Sequence, residues 1–203
     1  MSKPVVHVVE DDLSVRAAIS RLLQYAGFET RNYASAGEYL VADRDPKPGC
    51  IVLDVGLPGL SGIDLQAALA KNGAAPPIVF ITGRGDIEMG VRAMKAGAVD
   101  FLTKPVKRDA LLAAVREALD RDALERTTRG ALQGLAARFE RLTPREREVL
   151  AGVVRGKANK QIAEELRIAV RTVKAHRAAI MKKVEVASLA ELVRAAERLE
   201  RAA

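Results

Sequence analysis

Apolar and polar positions alternate in blocks through the first half of this chain. Short runs rich in Val, Ile and Leu cover residues 5–9, 50–54, 78–81 and 99–102, and a half-alternating run covers 28–33. Each is bounded by turn-forming residues and reads as a strand, mostly of the continuously apolar kind that a parallel sheet buries on both faces. Stripes at helical spacing lie between them, over 14–26, 35–42, 61–71 and 87–96. A fifth helix runs from about Asp109 to about Leu124. In the first stripe Val15, Ala18, Ile19, Leu22 and Leu23 share a face, and Gly27 ends it. Ser35 and Glu38 have capping-box spacing, Asp86 caps the fourth helix and Gly97 closes it. Loops rich in Pro and Gly cover 45–49 and 73–77. Five strands alternating with helices predict a parallel sheet with helices on both faces. Right-handed crossovers then bring every strand C-terminus to one edge.

The pattern changes after residue 122. Residues 122–138 carry scattered apolar positions and two weak breakers, Gly130 and Gly134, and read as a partly helical linker continuing the fifth helix. From Leu142 the signals sharpen. Thr143, Pro144 and Glu146 form a helix start with a capping box, and Val149, Leu150, Val153 and Val154 form its apolar stripe. Gly156 stops that helix. Asn159 caps the next, in which Ile162, Ala163 and Leu166 face inward. After a short turn at Arg167-Ile168-Ala169 comes a helix over 170–184, packing through Val173, Ile180 and Val184. A last helix spans 188–201. Two short helices joined by a tight turn, the second one basic, make a helix-turn-helix pattern.

Charge follows the same division. The chain has 203 residues and a net charge of +7. Residues 1–122 hold 15 Lys and Arg against 16 Asp and Glu, whereas residues 123–203 hold 18 against 10. The basic excess lies wholly in the second part, as expected of a module that faces nucleic acid. No apolar run reaches the roughly 18 residues of a membrane span. The first residues lead straight into a strand without a signal-peptide pattern, so a cytoplasmic protein is expected. Cys50 is the only cysteine. It excludes an intrachain disulfide and reads as a small buried hydrophobe.

The strand ends carry the candidate chemistry. Glu10, Asp11 and Asp12 follow the first strand, Asp54 ends the third, and Thr82 and Lys104 follow the fourth and fifth. Asp12 or Ser14 could serve as a helix cap. Three acids exceed what a cap requires, and an all-oxygen cluster suits Mg²⁺ or Mn²⁺. Asp54 is the candidate nucleophile for a phosphoryl group. Asp11, Asp54 and a nearby acid would hold the ion, with the Gly56 backbone carbonyl as a neutral ligand. Lys104 would pair with one phosphate oxygen and the Thr82 hydroxyl with another, leaving room for the Phe101 ring to turn inward.

Glu10-Asp11, Asp54, Thr82, Phe101 and Lys104-Pro105 resemble the residue set of response-regulator receiver domains. Leu142-Thr143-Pro144-Arg145-Glu146, Asn159-Lys160-Gln161-Ile162-Ala163 and Arg171-Thr172-Val173-Lys174-Ala175-His176 resemble the LuxR-type DNA-binding domain. The run from Ala93 to Phe101 is similar to the FixJ-like branch of the FixJ/NarL regulators. The resemblance implies a five-stranded, doubly wound parallel receiver domain (CheY/flavodoxin-like) over 4–122. It also implies a linker over 123–138 and an all-α, four-helix LuxR-type helix-turn-helix domain over 139–203. Asp54 would be the phosphoacceptor and Asp11 the direct metal ligand. Glu10 would act through water, and Asp12 ranks behind both. The Lys104-Pro105 bond resembles the family's cis peptide. Gly56 stands where many members carry a larger side chain, and Phe101 where others carry Tyr.

The resemblance further implies that Lys174 and Ala175 face bases, while Arg171, Thr172, His176 and Arg177 mostly contact phosphates or neighbouring bases. For His176 a structural hydrogen bond stands as an alternative. Val91 and Lys95 would lie on a phosphorylation-dependent dimer face, with ordinary core as the alternative for Val91. The implied partners are a sensor histidine kinase, promoter DNA, a second copy of the chain and RNA polymerase, with no membrane. The expected protein is a transcription factor, not an enzyme beyond its own phosphorylation and dephosphorylation. An aspartyl-phosphate hydrolase commonly needs a second carboxylate two residues after the nucleophile. Gly56 fills that position.

Overall fold

The computed structural model describes residues 3–42, 47–71, 75–83 and 87–202. The expected cap Asp86 and parts of the 45–49 and 73–77 loops lie outside them. The chain divides into two compact units, Met1–Glu125 and Arg126–Ala203.

The first unit is a five-stranded parallel sheet, β1 (Val5–Val9), β2 (Glu29–Tyr33), β3 (Gly49–Asp54), β4 (Ile78–Thr82) and β5 (Asp100–Thr103), in the order β2-β1-β3-β4-β5. β1, β3 and β4 are buried along their whole length, which is why they read as unbroken apolar runs. β2 and β5 are the edges and carry the polar residues. The helices of this unit are α1 (Leu13–Tyr25), α2 (Ala36–Val41), α3 (Gly62–Lys71), α4 (Ile87–Lys95) and the part of α5 (Arg108–Glu140) up to Glu125, the remainder of α5 belonging to the second unit.

The period of two along each strand sorts the core into two layers. Val6, Val8, Val52, Val79 and Ile81 pack with Ile19 and Leu23 of α1 and Leu111 and Val115 of α5. Val9, Ile51, Leu53 and Phe80 pack with Ala36, Leu65, Leu69 and Ala93 of α2, α3 and α4. Each fully buried Leu or Ile contributes roughly 1.5–3 kcal/mol by leaving water. Cys50 is fully buried in the first layer, and burial pushes its thiol pKa up to about 12, with the Asp122 charge adding to the effect. The Asp122 carboxylate of α5 accepts the Gly49 N–H at 2.9 Å.

The expected linker, 123–138, is helical throughout as part of the 33-residue α5. Gly130 and Gly134 do not break it. An exposed glycine costs a helix only about 1 kcal/mol, and Ala, Leu, Arg and Gln surround these two.

The second unit contains α6 (Pro144–Val154), α7 (Asn159–Leu166), α8 (Val170–Val184) and α9 (Leu189–Glu200). Val149, Val153, Ile162, Val173, Ile180, Val184 and Leu192 form its core, joined by Leu135 and Phe139 from the end of α5. Thr143 caps α6 with the expected box. Its N–H meets Glu146 Oε2 at 2.8 Å, and the Glu146 N–H meets Thr143 Oγ1 at 3.3 Å. The α7 cap differs from expectation. Ala158 occupies it, and Gln161 Oε1 takes the Ala158 N–H at 2.8 Å. Asn159 is the first helical residue, which frees its side chain for another partner. A left-handed Arg167, at φ 52°, turns the chain from α7 into α8.

Candidate functional site

The C-terminal ends of β1, β3, β4 and β5 meet at one sheet edge, the place where open α/β sheets bind ligands. Asp54 ends β3 and is 5% exposed. Its position depends on Gly62. A Cβ at Gly62 would lie 2.3 Å from the Asp54 carbonyl oxygen, so only glycine lets α3 start this close. Glu10, 1% exposed, follows β1 and donates its N–H to Tyr33 O at 3.1 Å. Arg16 of α1 reaches back to the carbonyl oxygens of Glu10 and Asp11 and fixes this turn. Sequence reasoning identified neither Gly62 nor Arg16. The only hint of Gly62 is a glycine at the first position of a helix where a better helix former would be expected.

Lys104 joins the two buried acids. Its Nζ lies 2.7 Å from Glu10 Oε2 and 3.1 Å from Asp54 Oδ1. The Lys104 N–H donates to Thr82 O at 2.7 Å, and the Lys104-Pro105 bond is cis. Burial raises the Glu10 pKa and the Asp54 charge adds to the rise, while the bond to Lys104 opposes both. Burial pulls the Lys104 amine down, but its bonds to Glu10 and Asp54 outweigh that and leave it raised. An anionic pocket therefore holds its own cation before any ligand arrives.

Glu10, Asp11 and Asp54 each present a carboxylate oxygen, all within 4.8 Å of one another. An octahedral ion with bonds of about 2.1 Å spans roughly that distance between opposite ligands, and the donor set is all hard oxygen. The residues fit Mg²⁺ or Mn²⁺. Asp12 is placed otherwise. Its carboxylate caps α1, accepting the N–H of Ser14 at 2.7 Å and of Val15 at 3.0 Å, and these bonds hold its pKa down. Gly56 is exposed beside Asp54, with space for a Cβ 3.5 Å from Asp54 Oδ2. Thr82 is 5% exposed at the end of β4. Phe101 is half-buried on β5, its ring 6.2 Å from that of Phe80 and against Gly90 of α4.

On α4, Val91 is 47% exposed and Lys95 is exposed, so Val91 is not core. Ile87 and Met94 extend the same apolar surface. Helical spacing sets Ile87, Val91 and Met94 on one face.

On α8, Arg171, Lys174 and Ala175 are exposed, and Thr172, His176 and Arg177 are half-buried. The Arg177 guanidinium donates to Asn159 Oδ1 across the helix pair. Lys183 of α8 pairs with the buried Glu146 at 2.7 Å. That bond, first among several, lowers the Glu146 pKa. Among the described residues, no helix is long and apolar enough to cross a membrane.

A family model for the response regulator receiver domain matches residues 6–116, and one for bacterial regulatory proteins of the luxR family matches residues 140–196. Nodulation protein W of Bradyrhizobium diazoefficiens is 47% identical over 198 residues, covering 98% of this chain and 87% of that protein. The transcriptional regulatory protein FixJ of Azorhizobium caulinodans is 44% identical over 191 residues, covering 94% and 90%. The solved structure of the response regulator StyR matches 97% of this chain and 100% of its own, with 49% identity and a TM-score of 0.85. Full-length FixJ from B. japonicum matches 99% of each chain, with 39% identity and a TM-score of 0.59.

Proposed function

The chain belongs to the two-component response regulators that join a receiver domain to a LuxR-type DNA-binding domain, and from that premise we propose that Asp54 is its phosphoacceptor. The observation that carries this reading is the buried Asp54–Lys104–Glu10 arrangement at the sheet edge. An Asp54 carboxylate oxygen attacks the phosphorus of a phosphohistidine on the sensor kinase. The new O–P bond forms as the P–N bond breaks, and the kinase histidine leaves as imidazole. Asp11 and Asp54, with Glu10 beside them and the Gly56 carbonyl as a neutral ligand, would hold Mg²⁺ or Mn²⁺, which neutralises phosphate oxygens. Lys104 keeps its charge at the site and pairs with a phosphate oxygen.

The Thr82 hydroxyl donates to another phosphate oxygen. Its movement opens the space that the Phe101 ring takes up. Gly90 supports this step, because the ring lies against a residue with no side chain. α4 and β5 rearrange, and two chains pair through the surface of Val91 and Lys95. The paired second units present α8 to two half-sites of promoter DNA, Lys174 and Ala175 to bases and Arg171, Thr172 and His176 to the backbone or neighbouring bases. Pairing raises affinity through effective concentration without any new base contact. The bond to Asn159 supports an orienting role for Arg177, its planar fork held ready for a phosphate. RNA polymerase is the further partner of a regulator bound at a promoter. Kinase and promoter meet in the cytoplasm, where we place the protein.

The test is sedimentation and DNA binding with Mg²⁺ and acetyl phosphate, for this protein and for Asp54→Asn. Dimerisation and tighter DNA binding that need both donor and Asp54 support the reading. Equal DNA binding by both proteins, with or without donor, overturns it in favour of a constitutive DNA-binding protein.

A further inference from the structure

The three acids of the candidate metal cluster are held in unequal ways. Glu10 and Asp54 are buried and share Lys104, whose Nζ lies 2.7 Å from one and 3.1 Å from the other. Asp11 is exposed, and among the described residues its carboxylate makes no hydrogen bond and no ion pair. The carboxylate expected to touch the ion directly is therefore the one that no other side chain orients. Its direction has to come from the backbone that carries it.

Arg16 of α1 holds that backbone. Its Nη1 amine donates to Glu10 O and, at 3.1 Å, to Asp11 O. Both carbonyls lie beyond Val9, the last paired residue of β1. No backbone N–H of the described residues reaches either oxygen. Each carbonyl belongs to a planar peptide unit, the first just before the Asp11 Cα and the second just after it. One guanidinium thus ties both planes that flank Asp11, and with them the direction of its bond from Cα to Cβ. The Asp12 N–H, in the second plane, adds a bond to Glu10 Oε1 at 3.3 Å.

α1 gains nothing electrostatically from this arginine. Arg16 stands at the N-terminal end of the helix, where the first turn has no acid and a cation opposes the dipole. Nor is it a counter-ion to the cluster, because it forms no ion pair with Glu10, Asp11 or Asp54. It is half-buried, and its guanidinium is spent on two neutral carbonyls.

We propose that Arg16 is a positioning residue for the divalent ion, holding the Asp11 backbone so that the carboxylate is ready for the ion. This rests on the metal-dependent reading above and adds to it the residue that orients the exposed ligand. The sign of the effect separates two roles. As a mere cation near the site, Arg16 would repel a divalent ion, and its removal would tighten binding. As a clamp, its removal weakens binding, because a loosened Asp11 must be ordered when the ion arrives.

The experiment is Mn²⁺ binding to the full chain at fixed ionic strength, followed by the electron paramagnetic resonance signal of the free ion. The proteins are wild type, Arg16→Met, Arg16→Gln, Asp11→Asn and Asp11→Asn combined with Arg16→Met. Circular dichroism shows which are folded. Arg16→Met and Arg16→Gln should each bind Mn²⁺ about 10-fold more weakly than wild type. Gln has a donor but lacks the reach, and it carries the test alone if the Met variant does not fold. In the Asp11→Asn background, Arg16→Met should cause no further loss, since the ligand that it orients is gone. Unchanged or tighter binding by a folded Arg16 variant overturns the proposal, and so does an equal further loss in the Asp11→Asn background; the metal site then stands without Arg16. If wild type binds no Mn²⁺, or Asp11→Asn binds it as well as wild type does, the metal reading fails and the positioning role with it.

Discussion

The two units handle charge in opposite ways. In the first, two buried acids, an exposed acid and one lysine converge on a single sheet edge, and the net charge of residues 1–122 is close to zero. In the second, the basic excess is spread along helix surfaces, and Lys174 and Arg171 face solvent. The difference follows from the size of what each must hold. A phosphoryl group is small, and only a desolvated, pre-arranged pocket gains much from it. DNA is an extended polyanion, which exposed cations meet by releasing counterions. Burial amplifies each charge in the first unit, whereas number supplies the effect in the second.

Three lysines sharpen this comparison. Lys104→Met should have the largest effect, because it leaves Glu10 and Asp54 facing each other uncompensated. We expect a loss of about 2 kcal/mol near neutral pH, below the figure for a fully buried pair because Lys104 keeps 22% exposure. Urea unfolding followed by tyrosine emission checks it, since Tyr25, Tyr33 and Tyr39 all lie in the first unit. The pH dependence has a definite sign. The folded Glu10 pKa is raised above its ordinary 4.5, and it rises further without the cation. The folded state then binds its proton more tightly than the unfolded chain does, so stability falls as pH climbs from 4.5 through the raised value. The deficit of the variant against wild type should shrink toward acid pH. A constant deficit would mean that Lys104 acts by packing alone.

Lys183→Met comes next, with about 1 kcal/mol lost from the second unit at pH 7, since Lys183 itself, at 32% exposure, is open to screening. Here the sign is reversed. The Glu146 pKa is depressed in the folded state, so its stabilisation is present above 4.5 and is lost as pH falls through the lowered value. Calorimetry at pH 7 and at acid pH should show the difference between variant and wild type closing. Lys174→Ala should have the smallest effect on stability, within about 0.5 kcal/mol. Its effect belongs to DNA, where specific over non-specific binding should fall roughly 10-fold in a salt-matched gel-shift assay. A melting change as large as that of Lys183→Met would place Lys174 inside the fold and break the contrast.

Much of the first unit is legible in the sequence, because a strand buried on both faces leaves an apolar run that nothing else explains. The acids and Lys104 are legible for a related reason, since they interrupt apolar runs at their ends. Contacts between elements distant in sequence leave no such mark. Nothing local says that Arg177 turns to Asn159, that Lys183 belongs to Glu146, or that Gly62 is required by the Asp54 carbonyl. Asn159 illustrates the limit. A good capping residue stood where a cap was needed, but the chain used Ala158 with Gln161 and spent the asparagine elsewhere. The continuation of the fifth helix is legible, but its full helicity over 123–138 is not, because a glycine signals a break more strongly than its free energy can enforce.

Cys50 has one more consequence. Its thiol is sealed in the first unit's core with its pKa pushed up to about 12, and the second unit has no cysteine. A thiol reagent therefore meets a silent molecule until the sheet opens. The chain carries its own stopwatch for that opening, read in the intact regulator without engineering a label, and blind to whatever the DNA-binding half is doing.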